Sequence, residues 1–126
     1  MKIELILEEV FGEPPPNIVW SCTTKECQSL LDLIDRVVAS NSDFDLGSEL
    51  DVQLIGLTKV VLKSSESGDL LTKSSGNGEL CTDLSPQFWK EVNALIKPLT
   101  NTNGFQYIEF DEDSLVEDAN WILTVG

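Results

Sequence analysis

Six carboxylates lie in the last stretch of this chain with no Lys or Arg among them: Glu109, Asp111, Glu112, Asp113, Glu117 and Asp118. Two of them, Asp111 and Asp113, have the pairing that a glycosidase uses as acid and base, or that a hard cation takes as ligands. The rest of the chain supplies no partner for either chemistry. It contains no His, so a general base has to be a carboxylate or a Lys, and a Cys or Ser nucleophile lacks the usual imidazole beside it. The residues therefore read as those of a protein that is not an enzyme and carries no cofactor.

Other spacings resemble sites and fail in detail. Asp43, Asp45 and Gly47 have the look of a calcium loop. Counting from Asn41, however, the glycine falls one position late and Val52 stands where the closing Glu is needed. Cys22 and Cys27 are separated by four residues, with no second Cys pair and no His, so zinc lacks ligands. Gly76, Asn77 and Gly78 lack the Lys-Ser/Thr ending of a phosphate loop. Pro14, Pro15 and Pro16 read as a stiff connection. The cysteines, with Cys81 as the third, are expected to be reduced, buried and structural.

The net charge of −14 is concentrated. Residues 42–57 carry Asp43, Asp45, Glu49 and Asp51 without a base, residues 104–126 carry the six carboxylates above, and residues 58–103 are neutral. Like charges as close as Asp111, Glu112 and Asp113 repel one another, a cost that a cationic partner relieves. A surface of this sign repels nucleic acid and anionic membrane. A basic protein is the expected partner, and a merely solvated acidic face is the alternative.

The elements that must position these groups follow from periodicity. Residues 2–10 alternate Ile3, Leu5 and Leu7 against Lys2, Glu4 and Glu8, as a half-buried strand does. Residues 18–22 read as a second strand. Thr23 and Glu26 form a capping box, and Cys27, Leu30, Leu31, Ile34, Val37 and Val38 recur at helical spacing behind it. Residues 40–49 read as a polar connection, 50–57 and 58–64 as strands, and 69–74 as a further strand closing a hairpin over the turn at 64–68. Ser85 and Pro86 open a second helix that carries Phe88, Trp89, Val92, Leu95 and Ile96 and stops before Pro98. Residues 105–110 and 120–125 have strand character, with a turn of helix capped by Ser114 between them. The expectation is a single α+β domain over residues 1–126, with a mainly antiparallel sheet packed by two helices at about 24–39 and 86–97. Residues 1–10 show neither a secretory signal nor a membrane span, which makes the cytoplasm the expected location.

Small size, the acidic residues 109–118 flanked by Tyr107, Phe110 and Trp121, and the lack of catalytic residues together resemble the immunity proteins that bacteria hold in the cytosol against toxin nucleases. The likeness is one of type and shares no motif, so no residue role is carried over from it. It implies an inhibitor that covers the basic active-site cleft of a cognate toxin, a nuclease domain. The candidate partner-binding residues are Glu109, Asp111, Glu112, Asp113, Glu117 and Asp118, with Tyr107 and Phe110 as apolar anchors and Asp43 and Asp45 from the other acidic stretch. A nucleic-acid mimic that inhibits a DNA- or RNA-binding protein uses the same carboxylates as phosphate stand-ins. A structural or adaptor subunit of a larger assembly depends instead on its apolar helix faces.

Overall fold

A computed structural model of the chain describes residues 1–10, 12, 17–40, 42–65, 71–74, 78–108 and 120–126, with the backbone alone for 71–74 and 120. In chain order the elements are β1 (Lys2–Ile6), β2 (Asn17–Cys22), α1 (Thr24–Ser40), β3 (Phe44–Asp45), α2 (Leu46–Glu49), β4 (Gln53–Ile55), β5 (Lys59–Ser64), β6 (Leu71–Ser74), β7 (Glu79–Leu84), α3 (Pro86–Ile96), a turn of 3₁₀ helix (Lys97–Thr100), β8 (Gly104–Ile108) and β9 (Asn120–Val125). The proline run, the tip of the 64–68 turn, Asp69, Gly76, Asn77, Phe110 and the helical turn expected after Ser114 lie outside the described residues.

Among the described residues the strands form two mixed sheets, ordered β4-β1-β2-β9-β8 and β3-β5-β7-β6. The α+β class holds, but the sheet is not mainly antiparallel. The β1/β4, β2/β9 and β5/β7 pairs are parallel, and β1/β2, β3/β5, β6/β7 and β8/β9 are antiparallel. Local turn signals reveal hairpins. Parallel partners are joined by long crossovers and leave no local signature. The pair Asn17↔Asn120, at the start of the β2/β9 ladder, is the extreme case.

The hairpin expected between β5 and β6 is also corrected. β6 pairs with β7, through Thr72↔Thr82, and β7 sits between β5 and β6. β7 itself falls in a stretch not read as a strand. Its Leu80, Thr82 and Leu84 alternate inward, and the hydroxyl in the middle of that row masks the period-2 pattern. The connection expected at 40–49 contains β3 and the short α2, whose Leu46 is fully buried. The strand expected over 2–10 stops at Ile6, which leaves Leu7 71% exposed.

α1 begins where the capping box predicts. Its buried face, Cys27, Leu30, Leu31, Leu33, Ile34 and Val37, is broader than the sequence stripe and takes in Leu33. The reason is that α1 packs against β2, β5, α3 and the 3₁₀ turn together. Val38 is only half-buried. Ser85 caps α3 by accepting from the Phe88 N–H at 3.2 Å, and Pro86 occupies the first turn. This helix buries Trp89, Val92 and Ile96 but leaves Leu95 40% exposed, since that side chain faces away from the sheets. Pro98 does not stop the chain dead; it falls in the 3₁₀ turn, whose Leu99 returns to the core. Trp20 of β2 and Trp121 of β9 stand 4.5 Å apart at their ring centroids, with Trp89 of α3 6.3 Å from Trp121. One apolar cluster thus draws on both sheets and both long helices. No helix among the described residues is long and apolar enough to cross a membrane.

Candidate functional site

Among the described residues β8 is an edge strand, paired on one side with β9. Phe105 and Tyr107 are two apart and therefore share one face of it. Their rings meet edge to face, with centroids 5.5 Å apart and planes at 82°. Phe105 is 58% exposed, a large apolar side chain held at the surface, and Tyr107 is half-buried beside it across from Ile122. The pair immediately precedes the acidic residues 109–118 in the chain. Glu109, Phe110, Asp111, Glu112, Asp113, Glu117 and Asp118 themselves lie outside the described residues.

The other two candidate carboxylates lie at and just before β3 of the second sheet. Asp43 is exposed just before β3, and its carboxylate lies 3.9 Å from the Lys63 ammonium on β5. Asp45 accepts from the Gly47 N–H at 3.0 Å and caps the N-terminus of α2. An Asp followed two residues later by a Gly is a common local cap, which accounts for this pair without a bound cation. Glu49 of the same stretch meets Arg36 of α1 at 3.1 Å. Asp45 thus belongs to the second sheet, with Asp43 at its margin, whereas Tyr107 lies on the first. Among the described residues no group of three or more His, Cys, Asp or Glu is placed to hold a metal ion.

A different group assembles at the start of α1. The Thr23 N–H donates to Glu26 Oε1 at 2.9 Å, the Glu26 N–H donates to Thr23 Oγ1 at 3.1 Å, and the Cys27 N–H reaches the Thr23 carbonyl at 3.0 Å. Thr23 is therefore the cap, with Cys22 one residue before it and Cys27 at the fourth helical position. Those two positions are the ones whose side chains touch when a capping box is accompanied by an apolar staple. Here the staple is made of two thiols, with Sγ atoms 3.2 Å apart. Cys22 also approaches the Thr124 carbonyl of β9 at 3.8 Å. The second carboxylate oxygen of Glu26 takes the Met1 ammonium.

The electrostatics follow from these contacts. Glu26 is held below its ordinary value, first by the hydrogen bond from the Met1 ammonium and then by that from the Thr23 backbone. Cys22 is pushed up by its hydrogen bond to Cys27, by burial and by the charge on Cys27 and Glu26. Cys27 is drawn down by the same hydrogen bond, against opposing effects of burial and Glu26. Of the two thiols, Cys27 is therefore the one that gives up its proton first, and Cys22 holds its own. A cavity of about 450 Å³, lined by Cys22, Thr23, Glu26, Thr124 and Val125, opens beside them. Cys81 is apart from this group, half-buried on β7, and none of the three cysteines is in a disulfide. The expectation of three buried thiols thus holds for Cys22 and Cys27 and not for Cys81, which belongs to the non-core face of its strand.

No known protein family, curated protein or solved structure matches this chain.

Proposed function

We propose that this chain is an acidic inhibitory binding protein of the immunity type, acting in the cytoplasm on a basic partner, a toxin nuclease domain, by covering its active-site cleft. The observation that carries the reading is the Phe105–Tyr107 pair. It places an exposed aromatic anchor on an edge strand directly before six carboxylates, on a chain of net charge −14. Interface hot spots are enriched in aromatic side chains seated in desolvated pockets, and surrounding charges steer the encounter. In this reading Phe105, Tyr107 and Phe110 fill apolar ground beside the cleft, while Glu109, Asp111, Glu112 and Asp113 pair with its Lys and Arg side chains. Catalysis, direct nucleic-acid binding and membrane binding have no part in it.

The test is to look for a toxin domain encoded beside this chain's gene and to titrate this chain against it. Titration at low and high salt should give an affinity that falls steeply with ionic strength, as a charge-led contact does. Truncating a buried, paired carboxylate in such a contact costs about 2–5 kcal/mol, so the quadruple alanine variant at 109, 111, 112 and 113 should bind far more weakly. Phe105→Ala should speed dissociation. Equal binding by wild type and the quadruple variant at low salt, or no binding to that toxin at all, sinks the reading. A tight affinity indifferent to salt favours an adaptor subunit instead.

A further inference from the structure

We infer that Cys22 and Cys27 form an oxidisable dithiol site, which a peroxide-class oxidant entering the adjoining cavity converts to a disulfide between the end of β2 and the first turn of α1. A local backbone device brings the sulfurs together. The capping box sets the backbone so that the side chains one residue before and four after the cap often pack together, and here the Sγ atoms are 3.2 Å apart. A disulfide bond is about 2.05 Å long, so closure asks for a movement of little more than an ångström between side chains already in contact.

Access is asymmetric. Cys22 is 6% exposed and lines the cavity of about 450 Å³, whereas Cys27 is fully buried behind it. This ordering assigns the roles. Once Cys27 has lost its proton to solvent, its thiolate takes up the Cys22 proton across the sulfur–sulfur contact as the Cys22 sulfur attacks one peroxide oxygen. A sulfur–oxygen bond forms, the oxygen–oxygen bond breaks, and the departing hydroxide takes up a proton as water. The Cys27 sulfur then attacks the Cys22 sulfenic acid, forming the sulfur–sulfur bond and expelling the second hydroxide, which leaves as water with the remaining thiol proton. Two thiols lose two electrons in total, and one peroxide becomes two waters. Cys81 takes no part, because it sits on a different sheet. A thiol reductant reverses the change. The role is separate from that of the acidic surface and stands or falls without it.

The chain itself supplies the readout, because Lys25 lies between the two cysteines. Trypsin, used without reductant after alkylation, separates residues 3–25 from residues 26–36 in the reduced protein. After brief treatment with hydrogen peroxide these peptides should appear as one species, lighter than their sum by two hydrogens, while Cys81 is still alkylated. Closure should be roughly tenfold or more faster in the native chain than in the chain unfolded in urea, since the fold holds the sulfurs in near-attack geometry. In Cys27→Ser the intermediate has no resolving partner, and dimedone should trap a sulfenic acid on Cys22. If that variant does not fold, the peptide linkage and the native-to-unfolded rate ratio still decide. Separate peptides, a sulfinic acid on Cys22 in the wild type, oxidation of Cys81 ahead of the pair, or equal rates in native and unfolded chains would overturn the inference.

Discussion

Trp89 donates its indole N–H to the carbonyl of Lys63 over 2.9 Å, a bond that ties α3 to the end of β5 while the same ring lies against Trp121 of the other sheet. One side chain therefore joins a helix to both sheets. Trp89→Phe keeps an aromatic ring but leaves the Lys63 carbonyl without this donor and removes part of a fully buried side chain. The expected loss is roughly 1–3 kcal/mol, from a part-buried acceptor that loses its donor together with the lost ring volume. Urea denaturation of the two proteins measures it. An unchanged midpoint would show that this bond does not hold the sheets together.

Thr82 makes the opposite prediction. It is fully buried in the central strand β7, and its hydroxyl has no hydrogen-bond partner among the described residues. Burying an unpaired hydroxyl is costly, and valine has the same shape and an equal liking for strands. Thr82→Val should raise stability by about 1 kcal/mol and lift the melting temperature. A destabilised variant would mean that the hydroxyl has a partner in the native protein.

Gly56 follows β4 with φ +76°, where a side chain is strained, and an added Cβ would meet the Leu5 carbonyl oxygen at 3.3 Å. Strand β1 runs alongside, so the neighbour is backbone and has little room to yield. Gly56→Ala should cost about 1–3 kcal/mol. Because the strain bears on the β1/β4 edge, hydrogen exchange should quicken there first; uniform quickening across both sheets would place the strain elsewhere.

The sequence carries this fold unevenly, for reasons visible at single residues. β1, α1 and α3 are legible because each has a strong local device: alternation around Ile3, the Thr23–Glu26 box, the Ser85–Pro86 start. β7 is hidden by Thr82, and α2 by its length of four residues. Sheet order is hidden by the parallel ladders, whose partners communicate only through the folded core. Asp45 reads as a possible ligand by composition, whereas its contact with the Gly47 N–H makes it a cap. The meeting of Cys22 and Cys27 is implied by the same box that reveals α1. It becomes visible only when the positions flanking the cap are followed through to the side chains they bring together.

Glu26 gives the pH-dependent prediction. Its carboxylate closes the capping box and holds the Met1 ammonium, and both contacts lower its proton affinity in the folded chain below the ordinary value of 4.5. A carboxylate with a depressed folded value contributes stability that is fully present above the unfolded value and is lost as the pH falls through the folded one. Gln is isosteric and serves the capping box as well, so Glu26→Gln removes the charge while keeping the cap. The group is about one-third exposed, so solvent screening limits its contribution to roughly 0.5–1 kcal/mol. For protein with a free amino terminus, the wild type should exceed Glu26→Gln by that margin at pH 6.5. The gap should shrink as the pH is taken below 4.5 and close once the folded carboxylate is protonated. Melting curves collected from pH 6.5 to pH 3 measure it. A gap that persists undiminished at the acid end would assign the effect to lost packing, and the ion pair with Met1 would then contribute nothing to stability.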